Sequence, residues 1–146
     1  MQERRGWFKA KMMESFERDR PLERPLEAIS RKLWPWPESK LIRTIGVLAA
    51  LDFISTYVFL EISTNHRLVE GGPLAGWALQ RGGFFGLFLV DLLSVGSLVL
   101  LALAVRALYQ RLGFTGLGRT ALVFLLVPYL IVILAVIYNN IVVSFL

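Results

Sequence analysis

Two aspartates stand where few charged residues are tolerated. Asp52, with Ser55 and Thr56 one turn on, lies inside the apolar stretch 41–62, and Asp91, followed by Ser94 and Ser97, lies inside the stretch that opens at Phe84. A third apolar stretch carries Asn139 and Asn140 near its end. An ionisable group at hydrocarbon depth is costly unless something faces it, so it marks a functional site by default. Two carboxylates held close can share a proton and act as a relay. With hydroxyl and amide oxygens around them they can instead hold a hard cation. The same side chains can also simply tie helices together, since interhelical hydrogen bonds contribute only about 0.6 kcal/mol each yet fix register. A neutral Asp52 bonded to Asn139 or Asn140 would meet that description in full. Tying is the simpler reading for the asparagines; for the aspartates the cost of burial favours a function.

No catalytic arrangement accompanies these groups. An intramembrane serine nucleophile needs a His or Lys base at its own depth, and Ser55, Ser94 and Ser97 have none. His66, the one histidine, falls in a polar connection. Paired aspartates evoke aspartyl hydrolysis, with nothing else to support it. The chain has no cysteine, which excludes thiolate metal ligation and disulfides. Its glycine pairs, Gly71-Gly72 and Gly82-Gly83, lack the following Lys and Ser/Thr of a phosphate loop. No metal site is indicated, and the residues do not say which cofactor, lipid or pigment, if any, the apolar faces hold.

The elements that must position these residues are helices in a bilayer. The 146 residues are 55% hydrophobic, with mean hydropathy +0.59, too apolar for an ordinary soluble domain. The apolar residues concentrate after residue 40, in runs near 41–62, 84–109 and 119–146, each long enough for the roughly 20 residues a span requires. The expectation is an all-α integral membrane protein: a three-helix domain over 41–146 preceded by an amphipathic arm over 1–40. With a rise of about 1.5 Å per residue, Asp52 lies roughly 15 Å from the far end of its span, Asp91 roughly 10 Å and the asparagines roughly 10 Å. Antiparallel spans thus bring the cluster Asp52, Ser55, Thr56, Asp91, Ser94, Asn139 and Asn140 to similar depth. Tyr129 stands apart in the third span, after Pro128, which is placed to kink it.

The arm holds ten of the sixteen Lys and Arg residues and seven of the eleven acidic ones. Such mixed charge suits a membrane surface or a partner protein and argues against nucleic acid, which selects a cleaner basic face. Residues 1–20 read as a helix with Trp7, Phe8, Met12 and Phe16 along one side, able to lie in the headgroup region or to pack on another subunit. Pro21 and Pro25 are expected to break it. A second short piece carries Leu26, Ile29 and Leu33 and ends at Trp34-Pro35-Trp36-Pro37, where Trp34 and Trp36 can anchor the first span at the interface. Pro73 to Gln80 is expected to form an interfacial helical turn or two before the second span.

Lys and Arg crowd the arm and the link between spans two and three (Arg106, Arg111, Arg119), while the first connection has only Arg67 and Arg81. That bias predicts a cytoplasmic N-terminus and an outside C-terminus. Without an early apolar run after Met1, the first span is expected to serve as its own insertion signal.

Asp52 and Thr56, followed by Glu70-Gly71-Gly72-Pro73-Leu74, resemble a prokaryotic family, domain of unknown function 5658. Its members have three spans, an Asp-x-x-x-Thr in the first, a Glu-x-Asn-Pro-Leu element, a glycine-led second span and an Asn in the last. Asp52, Thr56, Glu70, Pro73, Leu74 and Asn139 or Asn140 match it, Gly72 replaces the Asn, and the likeness covers 41–146. It implies a prokaryotic plasma-membrane protein and no particular activity. The expected function is an accessory or structural subunit of a membrane assembly, in contact with the bilayer and with other subunits or further copies of itself. The alternatives are an oligomeric ion or proton translocator and an intramembrane hydrolase.

Overall fold

The computed structural model describes Glu14 and residues 21–62 and 73–144, all of whose regular structure is helical. Trp7, Phe8, Glu70 and the expected helix over 1–20, apart from a helical Glu14, lie outside the described residues. Helix α1 covers 21–33, α2 Glu38–Ile62, α3 Pro73–Arg111 and α4 Thr115–Ser144. Contrary to expectation, α1 runs on through Pro25. A proline within helical backbone removes one i→i−4 bond, here to the carbonyl of Pro21, and the rest of α1 is helical without it. The segment 34–37 then ends α1, as its two prolines require.

Three helices are long and apolar enough to cross a membrane. The 25 residues of α2 and 30 of α4 reach about 37 and 45 Å at 1.5 Å per residue, against a hydrocarbon core of about 30 Å. They are apolar on all sides: Ile54 and Leu93, Leu100 and Ile131 point outward as freely as core residues point inward. That distribution belongs to helices whose outer surroundings are lipid.

The second span and the short helix before it are one element. Residues 73–82 and 84–111 are joined at Gly83, whose φ of 57° and ψ of −153° fall in a region essentially restricted to glycine. The bend brings the two pieces together so closely that a Cβ on Gly86 would lie 2.5 Å from the Ala78 carbonyl oxygen. At its other end α3 stops with Gly113 at φ 83°. There the Phe114 amide donates to the Tyr109 carbonyl at 2.9 Å and the Gly113 amide to Gln110 at 3.1 Å. These two bonds form a Schellman ending, which turns the chain directly into α4.

Helix α4 is the central element. It packs along both α2 and α3, which touch each other over a shorter stretch. Leu122, Val123 and Leu126 of α4 meet Leu41 and Ile45 of α2 and Ala102 of α3 in a buried core toward the arm end. Pro128 leaves α4 a single helix. Helices α2 and α3 meet edge-on through Phe53–Phe88 at 5.4 Å and Tyr57–Phe84 at 4.8 Å, and at the arm end through a Glu38–Arg106 ion pair at 2.6 Å.

Candidate functional site

The Glu38–Arg106 pair gives a common origin for depth. Asp52 is fourteen residues along α2 from Glu38 and Asp91 fifteen residues along α3 from Arg106, about 21 and 22 Å. The two aspartates therefore share a level. With Ser94, Ala49, Val95 and Tyr129 they line one small cavity of about 40 Å³ among the three spans. Asp52 and Asp91 both border this cavity. The cavity has room for about one water-sized group.

Tyr129 corrects the sequence reading, which set it apart. It lies one turn or two from Leu122, Leu126 and Ile133, the buried residues by which α4 packs. The spacing 122, 126, 129, 133 is one helical stripe, and that stripe aims the phenol inward. The pattern was present in the sequence but invisible, because α4 is apolar on every face.

Asn140, Ser55 and Thr56 make a polar contact between α4 and α2. Asn140 is buried, and its amide Nδ2 donates to Thr56 Oγ1 at 3.0 Å and to Ser55 Oγ at 3.3 Å. Ser55 in turn donates to the Asp52 carbonyl at 2.9 Å. The bonds from Asn140 join α4 to α2 through its side chain. Asn139 is exposed. Adjacent helical residues point about 100° apart, so only one of the pair can share the inward face. Ser94 is largely exposed although it borders the cavity. Helix α2 carries both Asp52, on the cavity, and the two hydroxyls that Asn140 meets.

Asp91, half-buried, also borders a larger space. Between α2 and α3 lies a lateral cleft of about 460 Å³, open on one side and almost wholly apolar, walled by Ile45, Ala50, Phe53, Leu92 and Val99 with Asp91 at its rim. Phe53–Phe88 closes one end and the Glu38–Arg106 pair lies beyond the other. Gly46 of α2 and Gly96 of α3 both line it, and a Cβ on either would meet no atom of the described residues within 4 Å. Among the described residues no three His, Cys, Asp or Glu side chains come together as a metal site.

At the arm end, Trp34 and Trp36 stack edge-on at 4.9 Å. Arg119 Nη2 donates to the Trp34 carbonyl at 2.8 Å and to the Trp36 carbonyl at 3.2 Å. Pro73 opens α3, in the first-turn position that suits proline, and Leu74 beside it is exposed.

No family model, curated protein or solved structure matches the chain. The chain is a small multi-span membrane protein in contact with the lipid bilayer.

Proposed function

We propose that this protein is a non-enzymatic accessory subunit of a larger membrane assembly, and that the α2–α3 cleft receives a transmembrane helix of a partner subunit. The observation that carries this reading is Gly46 and Gly96. Glycine within a helix costs about 1 kcal/mol relative to alanine, and nothing among the described residues approaches either one to require it. Close backbone approach by a second helix is the usual use of small residues on a lipid-facing surface, and Gly46 with Ala50 gives the four-residue spacing that such a crossing uses. Asp91 on the same cleft adds a carboxyl that a helix bearing a hydrogen-bond donor at this depth would satisfy.

The test is site-directed cross-linking from Ala50→Cys and Leu92→Cys in native membranes, with Val132→Cys on exposed α4 as control. The expected result is an adduct to a distinct membrane protein from the cleft positions only, lost on Gly46→Leu or Asp91→Leu. Adducts between two copies of this chain, or none at all, would overturn it.

A second reading, a homo-oligomeric ion or proton translocator, draws on the cavity shared by Asp52, Asp91 and Tyr129. Flux in liposomes that Asp52→Asn abolishes without unfolding would establish it in place of the first. A hydrolase reading would use the same two aspartates and requires a cleavage product lost in Asp91→Asn. The likeness to domain of unknown function 5658, a prokaryotic plasma-membrane location and a cytoplasmic N-terminus belong to the same proposal. The crowding of basic residues at the end shared by the arm and the α3–α4 link supports the orientation, and a reporter fused at Leu146 that is active only in the cytoplasm would reverse it.

A further inference from the structure

Helix α1 is amphipathic in an unusual sense: its carboxylates turn toward the protein while Leu22, Ile29 and Leu33 turn away and Leu26 is partly covered. Glu23 accepts a bond from the Gly116 amide at 2.8 Å, and a Glu27 carboxylate oxygen lies 2.8 Å from where a Gly116 Cβ would be. Ser30 is fully buried. Leu22, Ile29 and Leu33 are 51%, 46% and 48% exposed. At about 100° per residue these three fall within about 40° of one another, with Arg24 and Arg31 roughly opposite and Glu23, Glu27 and Ser30 on the flank between.

The contacts also fix how α1 lies. Glu23 and Trp34 are eleven residues apart, about 16 Å of helix. Their partners on α4, Gly116 and Arg119, are three residues or about 4.5 Å apart. Helix α1 therefore crosses the end of α4 instead of running along it, at the level where a spanning helix leaves the hydrocarbon. A helix lying there, one side apolar and the other basic, has the bilayer boundary below it and water above.

We infer that α1 lies in the plane of the membrane, with Leu22, Ile29 and Leu33 at the acyl boundary, and that exposed Arg24, Lys32, Lys40 and Arg43 select anionic phospholipid headgroups. The negative potential of an anionic leaflet attracts each such cation near the surface, and the attraction falls off within a Debye length. It is independent of whatever occupies the cleft. Trp36, 52% exposed beside the stripe, is placed to sit at the same level.

The test uses the whole chain, which contains no native cysteine, so single cysteines at exposed sites can be spin-labelled directly. Leu22→Cys, Ile29→Cys and Leu33→Cys are compared with Arg24→Cys in phosphatidylcholine vesicles with and without phosphatidylglycerol. The expected result is oxygen accessibility exceeding that to a water-soluble nickel chelate at the first three sites and the reverse at Arg24→Cys. The apolar sites should move deeper when phosphatidylglycerol is added, and that shift should disappear in high salt or in the triple variant Arg24→Gln, Lys32→Gln, Lys40→Gln. Nickel accessibility at all four sites, or inaccessibility to both reagents as under a covering protein, would overturn the in-plane placement. Equal depth in both lipids would overturn the anionic preference.

Discussion

The Glu23 carboxylate accepts a hydrogen bond from the Gly116 amide at 2.8 Å, across 93 residues of sequence. Gly116 is in the first turn of α4, whose early amides have no partner within their own helix. A residue of another helix thus supplies the acceptor that a local Ser or Asp would otherwise provide, and the negative charge also meets the positive end of the α4 dipole.

Glu23→Ala should consequently destabilise the fold by about 1 kcal/mol, the usual loss for an N-terminal capping acceptor. Hydrogen exchange should rise over 21–33 more than over α2, since the arm loses a tie and the spans do not. Gly116→Ala should act in the same direction, because its Cβ would lie 2.9 Å from Glu23 Cγ. Thermal denaturation in detergent, read with exchange mass spectrometry, checks both.

Gly83→Ala is expected to cost about 1–3 kcal/mol, the range for a residue forced into sparsely populated backbone. Gly82→Ala, with nothing within 4 Å of the new Cβ, should show no loss. Equal behaviour of the two variants in unfolding assays would mean that the bend in α3 is not held at Gly83.

Asn140→Leu removes the bonds to Ser55 and Thr56 and should cost about 1 kcal/mol, at roughly 0.6 kcal/mol for each interhelical bond. Asn139→Leu, at an exposed position, should be near neutral. A double-mutant cycle between Asn140→Leu and Thr56→Val should return a coupling of about 0.6 kcal/mol.

The Glu38–Arg106 pair is partly exposed, so its coupling should fall in the range of about 0.2–1 kcal/mol and shrink as salt is raised. A cycle of Glu38→Gln and Arg106→Gln at low and high ionic strength measures it. A coupling unchanged by salt would show that the pair is shielded from water.

The spans were legible because the bilayer imposes a length and a polarity that composition records directly. The shared level of Asp52 and Asp91 was legible too, since a constant rise per residue converts position into depth. Rotation was not. Asn139 and Asn140 have the same chemistry at nearly the same depth, and only the seating of Leu122, Leu126 and Ile133 decides which one turns inward. Tyr129 was missed for the same reason. The union of Glu23 with Gly116 lay beyond any local pattern, as did the continuity of α1 through Pro25. Gly46 and Gly96 were in plain view and unread: such glycines become informative once the space beside them is known to hold no atom of the described residues.

Because α4 touches both of its neighbours more than they touch each other, the clasp can close only after the two helices it holds have been made. A chain cut between Arg111 and Thr115 should still insert, with α2 and α3 left as a loosely matched pair, and should then be cleared quickly by membrane quality control. Adding α4 is what should spare the two spans that fate.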